Sequence, residues 1–185
     1  DILALEENFY DKVSFDVNGQ QYSLHIGGKV DRIDRINQGG KWVVRIVDYK
    51  TGKPLTSLPA CVKDIFNTDN IENKHSTYYL QSMLYAGVVK YGVNSYKKVG
   101  KMTQQAVAPA LLFIRQASAE NYNPILTFSI GRGQREIIDD ISVMWPEFSD
   151  LVKQLLAEIF NPLIDFTPTS HTKRCDNCPY SLICH

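Results

Sequence analysis

The sequence predicts an α/β or α+β domain in which helices flank a central mixed β-sheet. Much of the first fifty residues alternates between apolar and polar positions, as strands with one buried face do. The segment VVRIV at residues 43–47 has apolar side chains on both faces, as a strand covered on two sides does. A helical pattern then lies between later strands. Strands first, then a helix, more strands and a final helix are typical of a layered sandwich.

The first four predicted strands form two hairpins. Residues 12–18 and 21–26 alternate around Asn18-Gly19, a strong signal for a two-residue turn. The next strand covers residues 30–36, turns at NQGG and returns over residues 42–50. The returning strand is apolar on both faces, so we expect it at the centre of the sheet.

The later elements are helices and strands separated by an irregular stretch that ends at residue 75. They are a short helix at 61–66, a helix from Ser76 to Tyr91, strands at 108–115 and 125–130, and a helical pattern at 135–160. Ser76 is a suitable N-cap, and Gly92 stops the helix. Pro146 is expected to start or kink the last helix because proline cannot continue one.

Length and charge limit the classes of protein. The 185 residues suffice for one well-buried domain, so we expect a single domain over 1–185. Lys plus Arg equals Asp plus Glu at 20 each, which excludes a global basic field for nucleic acid. No run approaches the ~18 apolar residues of a membrane helix, and no export signal opens the chain. We expect a cytoplasmic protein, and a chain that begins without Met is expected to be a piece of a larger one.

The second hairpin carries charged residues where apolar ones would pack better. If residue 36 faces residue 43, Asp31 lies opposite Asp48, and Lys50 shares the face of Asp48. Like charges so placed are destabilising unless something positive lies between them. A divalent cation and an ammonium both qualify, and carboxylate ligands suit Mg²⁺ or Mn²⁺. The alternative is a solvated surface hairpin. Asp34 should face the other way and pair with Arg32 or Arg35.

Three segments together resemble a known family. They are GKVD at 28–31, VDYKTG at 47–52, and YYLQSMLYA at 78–86, which contains Gln81 and Tyr85. The combination resembles the RecB-type branch of the PD-(D/E)XK nuclease superfamily, and most closely the C-terminal nuclease domain of AddB-like helicase-nuclease subunits. The resemblance covers nearly the whole chain and implies a restriction-endonuclease-like fold.

The resemblance also implies roles for individual residues. By this resemblance, Asp31 and Asp48 are expected to be metal ligands together with the backbone carbonyl of Tyr49. Lys50 is expected to be the catalytic lysine. Gln81 and Tyr85 match a QxxxY element beside the site, and residues four apart do share a helix face. The alternative for this pair is core packing for the tyrosine and a surface amide for the glutamine. His25, on a strand, is interpreted as a packed or surface residue.

Three cysteines stand close together in CDNCPYSLIC. Cys175, Cys178 and Cys184 could hold one cluster or ion. The resembled nucleases end in a similar run that binds a 4Fe-4S cluster, which implies a fourth ligand outside the chain or at Cys61. Zinc with His171, His185 or Cys61 as the fourth ligand, and free thiols, are the alternatives.

The resulting hypothesis is a Mg²⁺-dependent deoxyribonuclease domain of a helicase-nuclease that acts in double-strand-break processing and recombinational repair. An exonuclease is favoured over an endonuclease. The expected partners are single-stranded DNA and a helicase subunit or covalently linked helicase-like domains, with no membrane. The alternatives are a stand-alone RecB-like exonuclease as in CRISPR adaptation, and a non-catalytic DNA-binding or scaffolding module with the same fold.

Overall fold

The structure is a computed structural model that describes residues 1–67, 76–100, 104–167, 169, 175–176 and 178–184. Its strands are β1 (Ile2–Val17), β2 (Gln20–Gln38), β3 (Lys41–Lys50), β4 (Ala106–Phe113), β5 (Thr127–Gly131) and β6 (Gln134–Ile137). Its α-helices are α1 (Val62–Phe66), α2 (Ser76–Tyr91), α3 (Ser95–Val99), α4 (Trp145–Ile159) and α5 (Ser181–Cys184). Short 3₁₀ helices cover Ile114–Gln116 and Ile141–Val143.

The main sheet has the strand order β1-β2-β3-β4. Strands β1, β2 and β3 pair antiparallel, and β3 pairs parallel with β4. The predicted mixed sheet with flanking helices is therefore confirmed, and β3 is an inner strand as expected. Strands β5 and β6 form a separate antiparallel pair. An isolated bridge joins Ala110 of β4 to Ile125 just before β5.

The hairpin that opens the chain turns at Asn18 and Gly19. Their φ angles are 52° and 82°, the left-handed values that a tight two-residue hairpin turn requires. The strands on either side are longer than the sequence indicated, because β2 continues without interruption from Gln20 to Gln38. The predicted strands at 21–26 and 30–36 are thus two parts of one strand.

Apolar side chains cover both faces of the sheet. Val43 and Val44 are neighbours on β3, so their side chains point to opposite faces. Val44 belongs to the main core with Met83 of α2 and Phe148 of α4, all at most 1% exposed. Val43 belongs to a smaller cluster with Ala106, Ala108 and Ile125. Helix α2 therefore packs into the main core, where it can present side chains to the end of β3.

The helical pattern predicted for residues 135–160 is only partly correct. Helix α4 begins at Trp145 with a proline in its first turn, as predicted for Pro146. Residues 135–137, however, belong to β6, and residues 138–144 are not α-helical, so the helical prediction is wrong before Trp145. Gly133 has a φ of 75° and turns the chain back onto β5, and ladder pairing then outweighs the helical spacing of apolar residues. None of the helices among the described residues is long and apolar enough to cross a membrane.

Candidate active site

The ladder between β2 and β3 brings the acidic residues of the second hairpin together. Its pairs run from Gln38 opposite Lys41, through Ile36 opposite Val43, to Arg32 opposite Val47, which is the predicted register. The ladder ends there, one residue before Asp31. At this point Asp31 Oδ2 accepts a hydrogen bond of 2.8 Å from the backbone N–H of Tyr49. The Asp31 carboxylate is therefore fixed at the end of β3, next to Asp48.

Asp48 and Lys50 form an ion pair at the end of β3. Lys50 Nζ lies 2.5 Å from Asp48 Oδ2, and the two side chains are 17% and 11% exposed. The same Oδ2 atom is buried, and the Lys50 ammonium is its partner. A carboxylate oxygen has more than one lone pair, so this atom retains the capacity to act as a ligand for a cation.

The pKa of Asp48 is raised above its ordinary value. Burial is the largest cause, because removal from water disfavours the charged carboxylate. The Lys50 ammonium opposes this effect, and the negative charge of Asp31 adds to it. The Asp31 carboxylate is thus close enough to repel that of Asp48, and a cation bound between them would relieve the repulsion.

Helix α2 contacts the same Lys50 ammonium through three of its side chains or their partners. Gln81 Oε1 accepts a hydrogen bond of 3.3 Å from Lys50 Nζ, and Gln81 Nε2 donates one of 3.4 Å to Tyr85 Oη. The face of the Tyr78 ring lies 4.7 Å from Lys50 Nζ, a cation–π contact. Sequence reasoning missed Tyr78, although it precedes Gln81 by three residues and so shares its helix face.

Tyr85 also contacts β2 at a glycine. A Cβ atom on Gly28 would lie 2.5 Å from Tyr85 Oη, so only a glycine leaves room for the hydroxyl. The Gly28 backbone, Tyr85, Gln81 and Lys50 therefore form one continuous row of contacts from β2 to the end of β3. Both residues of the QxxxY element lie in this row, beside Lys50.

Asp34 lies in a separate cluster further along the same ladder. It is 5% exposed, and its carboxylate accepts two hydrogen bonds from Arg45, of 2.8 and 2.9 Å. Arg32 forms a further ion pair with it at 2.9 Å. The expected partner Arg32 is present, whereas Arg35 pairs with Asp1 instead. Arg45 is the stronger partner because the ladder places it directly opposite Asp34.

Comparison with known proteins assigns the chain to a family. The family model of the PD-(D/E)XK nuclease superfamily matches residues 2–185.

The chain belongs to the PD-(D/E)XK nuclease superfamily.

A stretch of 51 residues is 49% identical to an ATP-dependent helicase/deoxyribonuclease subunit of Carboxydothermus hydrogenoformans. The stretch covers 28% of this chain and 4% of that protein.

A divalent cation at this site would need an oxygen ligand from the backbone in addition to the two carboxylates. Within the described ranges, no group of three or more His, Cys, Asp and Glu side chains is arranged to hold a metal ion. Asp31 and Asp48 supply two carboxylates, and the buried Asp48 Oδ2 has capacity for a ligand bond. The carbonyl of Tyr49, between Asp48 and Lys50, is the expected third oxygen.

The cysteine tail of this superfamily member is described only in part. Cys175 and Cys178 are free and half-buried, and the N–H of Cys178 donates a hydrogen bond of 3.1 Å to the carbonyl of Cys175. This turn keeps the two residues on one short loop. Cys184 ends α5, but its side chain lies outside the described part, as do His171 and His185. Cys61 is free and exposed just before α1.

Proposed function

We propose that this chain hydrolyses phosphodiester bonds of DNA with a divalent cation bound by Asp31, Asp48 and the carbonyl of Tyr49. The observation that supports this most directly is the position of Lys50. Its ammonium lies between the buried Asp48 carboxylate and the Gln81–Tyr85 pair. Immobilising a lysine in this way costs side-chain entropy, and a surface hairpin would have no need of it.

Each residue of the proposed site has a separate role in the reaction. Mg²⁺ or Mn²⁺, when bound, would polarise a phosphoryl oxygen and orient the substrate. Lys50 orients the attacking water through its N–H donors and offsets the negative charge that develops on the phosphoryl group. Gln81 fixes the direction of the ammonium, and Tyr85 fixes Gln81. The face of Tyr78 adds a cation–π contact to the ammonium of the lysine.

We further propose a role for residues 1–185 as a single nuclease domain of a helicase-nuclease in double-strand-break processing and recombinational repair. The name of the relative from Carboxydothermus hydrogenoformans, a helicase/deoxyribonuclease subunit, supports this role. A helicase delivers a single strand, so the preferred substrate is single-stranded DNA cleaved from an end. The partner is then a helicase subunit or a covalently linked helicase-like domain.

The test is cleavage of end-labelled single-stranded DNA with Mg²⁺, with Mn²⁺ and with a chelator. The wild-type protein should cleave only with a divalent cation, and Lys50→Ala should not cleave. Lys153→Ala is the matched control, because this lysine lies on α4, is about half exposed and pairs with Asp150 one turn away. DNA binding without any metal-dependent cleavage by the wild type would instead favour a non-catalytic DNA-binding or scaffolding module.

We also propose that Cys175, Cys178 and Cys184 bind a 4Fe-4S cluster in the complete protein, with the fourth ligand outside this chain or at Cys61. The turn that joins the first two cysteines supports this, since both thiols are free and lie on the same short loop. Anaerobic reconstitution of the complete protein with iron and sulfide should give a brown species, because iron–thiolate clusters absorb visible light. Cys178→Ala should lose the colour, and Cys61→Ala tests whether Cys61 is the fourth ligand. Stoichiometric zinc without iron would contradict the proposal.

A further inference from the structure

A cavity of 130 Å³ lies beside the candidate active site, with Leu111 and Phe113 of β4 in its wall. The parallel ladder between β3 and β4 pairs Leu111 with Asp48 and Phe113 with Lys50. Paired residues of neighbouring strands project from the same face of the sheet, with the two strands about 5 Å apart. This first cavity therefore adjoins the two charged residues of β3 on their own face of the sheet.

One segment of the chain leads from Lys50 along this cavity to a second one. The segment, residues 51–59, follows Lys50 directly. Leu58 of this segment lines the first cavity and also a second cavity, of 250 Å³, which Thr56 and Ser57 line as well. The two cavities are thus adjacent, and a continuous stretch of chain connects both of them to the lysine of the candidate active site.

The second cavity is lined mainly by polar side chains. Thr56, Ser57 and Ser129 bring hydroxyl groups, and Gln134 and Arg135 of β6 bring an amide and a guanidinium. Within the described ranges, none of the three hydroxyls forms a hydrogen bond with another group of the protein. The volume is below the roughly 300 Å³ at which sites for drug-sized ligands begin, so the cavity suits a small polar group.

Arg135 lies where the two cavities meet and lines both of them. It is exposed, and in the part of the chain that the structure describes it forms no ion pair with a carboxylate. Burial raises the pKa of the Tyr79 hydroxyl, and the positive charge of Arg135 opposes this effect. Tyr79 lines the first cavity, so the guanidinium lies close to that cavity with its charge available to a ligand.

We propose that Arg135, with the hydroxyls of Ser57 and Ser129, binds a phosphate of the DNA strand that is cleaved at Lys50. The proposal rests on the nuclease function proposed above and adds a second phosphate site. The planar guanidinium of arginine matches two phosphate oxygens at once. Ile125, on the far wall of the first cavity, bridges to the edge of β4 away from β3, so about 10 Å, two strand spacings, separate it from β3. A phosphate near the cleaved one on the same strand is therefore within reach, and the contact positions the strand without reading its sequence.

The test measures binding of short deoxythymidine oligonucleotides in Ca²⁺, each with a single uncharged methylphosphonate linkage at a different position. For the wild type, the linkage held by Arg135 should weaken binding about tenfold when it is uncharged, as expected for the loss of a charged hydrogen bond. Arg135→Gln should bind unmodified DNA about tenfold more weakly and lose the sensitivity at that linkage only. The slope of its log K against log salt concentration should be smaller by about 0.7. Arg135→Lys restores the charge and should regain the slope.

Arg132→Gln is the matched control, because Arg132 lies in the turn between β5 and β6, is also exposed and lines neither cavity. It should behave as the wild type. The phosphate site would be overturned if Arg135→Gln, folded by circular dichroism, kept the wild-type sensitivity at every linkage. An equal loss of binding in Arg132→Gln would also overturn it, in favour of a diffuse basic surface. Failure of the nuclease proposal is separately visible, since the wild type would then not cleave DNA in Mg²⁺.

Discussion

Gly28→Ala should disturb the candidate active site, because the new Cβ would displace Tyr85 of helix α2. The new Cβ would lie 2.5 Å from Tyr85 Oη and 3.1 Å from two ring carbons, whereas relaxed contacts between carbon atoms lie at about 3.5–4.0 Å. The hydroxyl must therefore withdraw by about 1 Å. Its hydrogen bond with Gln81 Nε2 is already long at 3.4 Å and would break.

This hydrogen bond stabilises the position of the Gln81 side chain by about 1 kcal/mol, and that stabilisation would be lost. Gln81 in turn fixes the position of the Lys50 ammonium. If the transition state bears the whole loss, the single-turnover cleavage rate falls about fivefold. Tyr85→Phe deletes the same hydrogen bond and should also cost about fivefold. In the phenylalanine variant there is no hydroxyl to displace, and the ring carbons at 3.1 Å need to move by only a few tenths of an ångström. The double variant should therefore remain near fivefold instead of reaching about 25-fold.

The assay is single-turnover cleavage of end-labelled single-stranded DNA by the four proteins of this cycle. Gly52→Ala is the control, because a Cβ there meets nothing within 4 Å. Additive losses in the double variant would refute the argument that Gly28 acts through the Tyr85 hydroxyl. If Gly28→Ala cleaved DNA at the wild-type rate, the Gln81–Tyr85 hydrogen bond would not be needed to position Lys50.

Three further predictions concern the charged groups. Lys50→Ala should lower the cleavage rate at least a hundredfold while circular dichroism and the melting temperature show a folded protein; near wild-type cleavage would remove Lys50 from the mechanism. Mg²⁺ at about ten times its Kd should stabilise the wild type by about 1.4 kcal/mol, or a few degrees in melting temperature, and Asp48→Asn should lose this shift. An unchanged shift in Asp48→Asn would place the metal elsewhere. Asp31→Asn should lower the pKa of the Asp48 carboxyl in a carbon-13 NMR titration, because it removes a repelling charge; a pKa that does not fall would show that the two carboxylates are not coupled.

The sign of the pH effect on stability follows from the raised pKa of Asp48. An aspartate whose pKa is higher in the folded than in the unfolded state makes no unfavourable contribution at pH values below 3.8, the ordinary value. As pH rises from 3.8 through the folded pKa, the carboxylate is ionised more readily in the unfolded chain, and the contribution of Asp48 to the free energy of unfolding falls. Asp48→Asn should lack this fall in urea titrations across that window, and an identical pH profile in the variant would contradict the assignment.

The parts of the fold that the sequence predicted well are those set by local patterns. The Asn18-Gly19 turn fixes the first hairpin, and the apolar spacing on both sides of NQGG fixes the register between β2 and β3. This register places Asp31 and Asp48 at one end of the ladder. The roles expected of these carboxylates, of Lys50 and of the Gln81–Tyr85 pair came from the family resemblance instead.

Other parts depend on contacts between distant elements, which no local pattern reveals. The fit of Tyr85 against Gly28 joins α2 to β2, and the cation–π contact of Tyr78 depends on how α2 packs. The helical spacing at residues 135–137 was misleading because pairing with β5 stabilises a strand there. The preference of Asp34 for Arg45 over Arg35 follows from strand pairing, since Arg45 stands directly across the ladder.

The Asp34–Arg45 pair links the geometry of the candidate active site to the register of the hairpin that carries it. Its two parallel hydrogen bonds form only when residue 34 stands opposite residue 45, and the same alignment brings Asp31 to the end of β3. A slip by one residue would break the pair and turn an acidic side chain away from the site. In a genetic screen for inactive alleles, Asp34→Asn would therefore be scored with the active-site variants, although this residue needs no contact with DNA. Thermal melting separates the two classes, because the allele at residue 34 should lose stability together with activity.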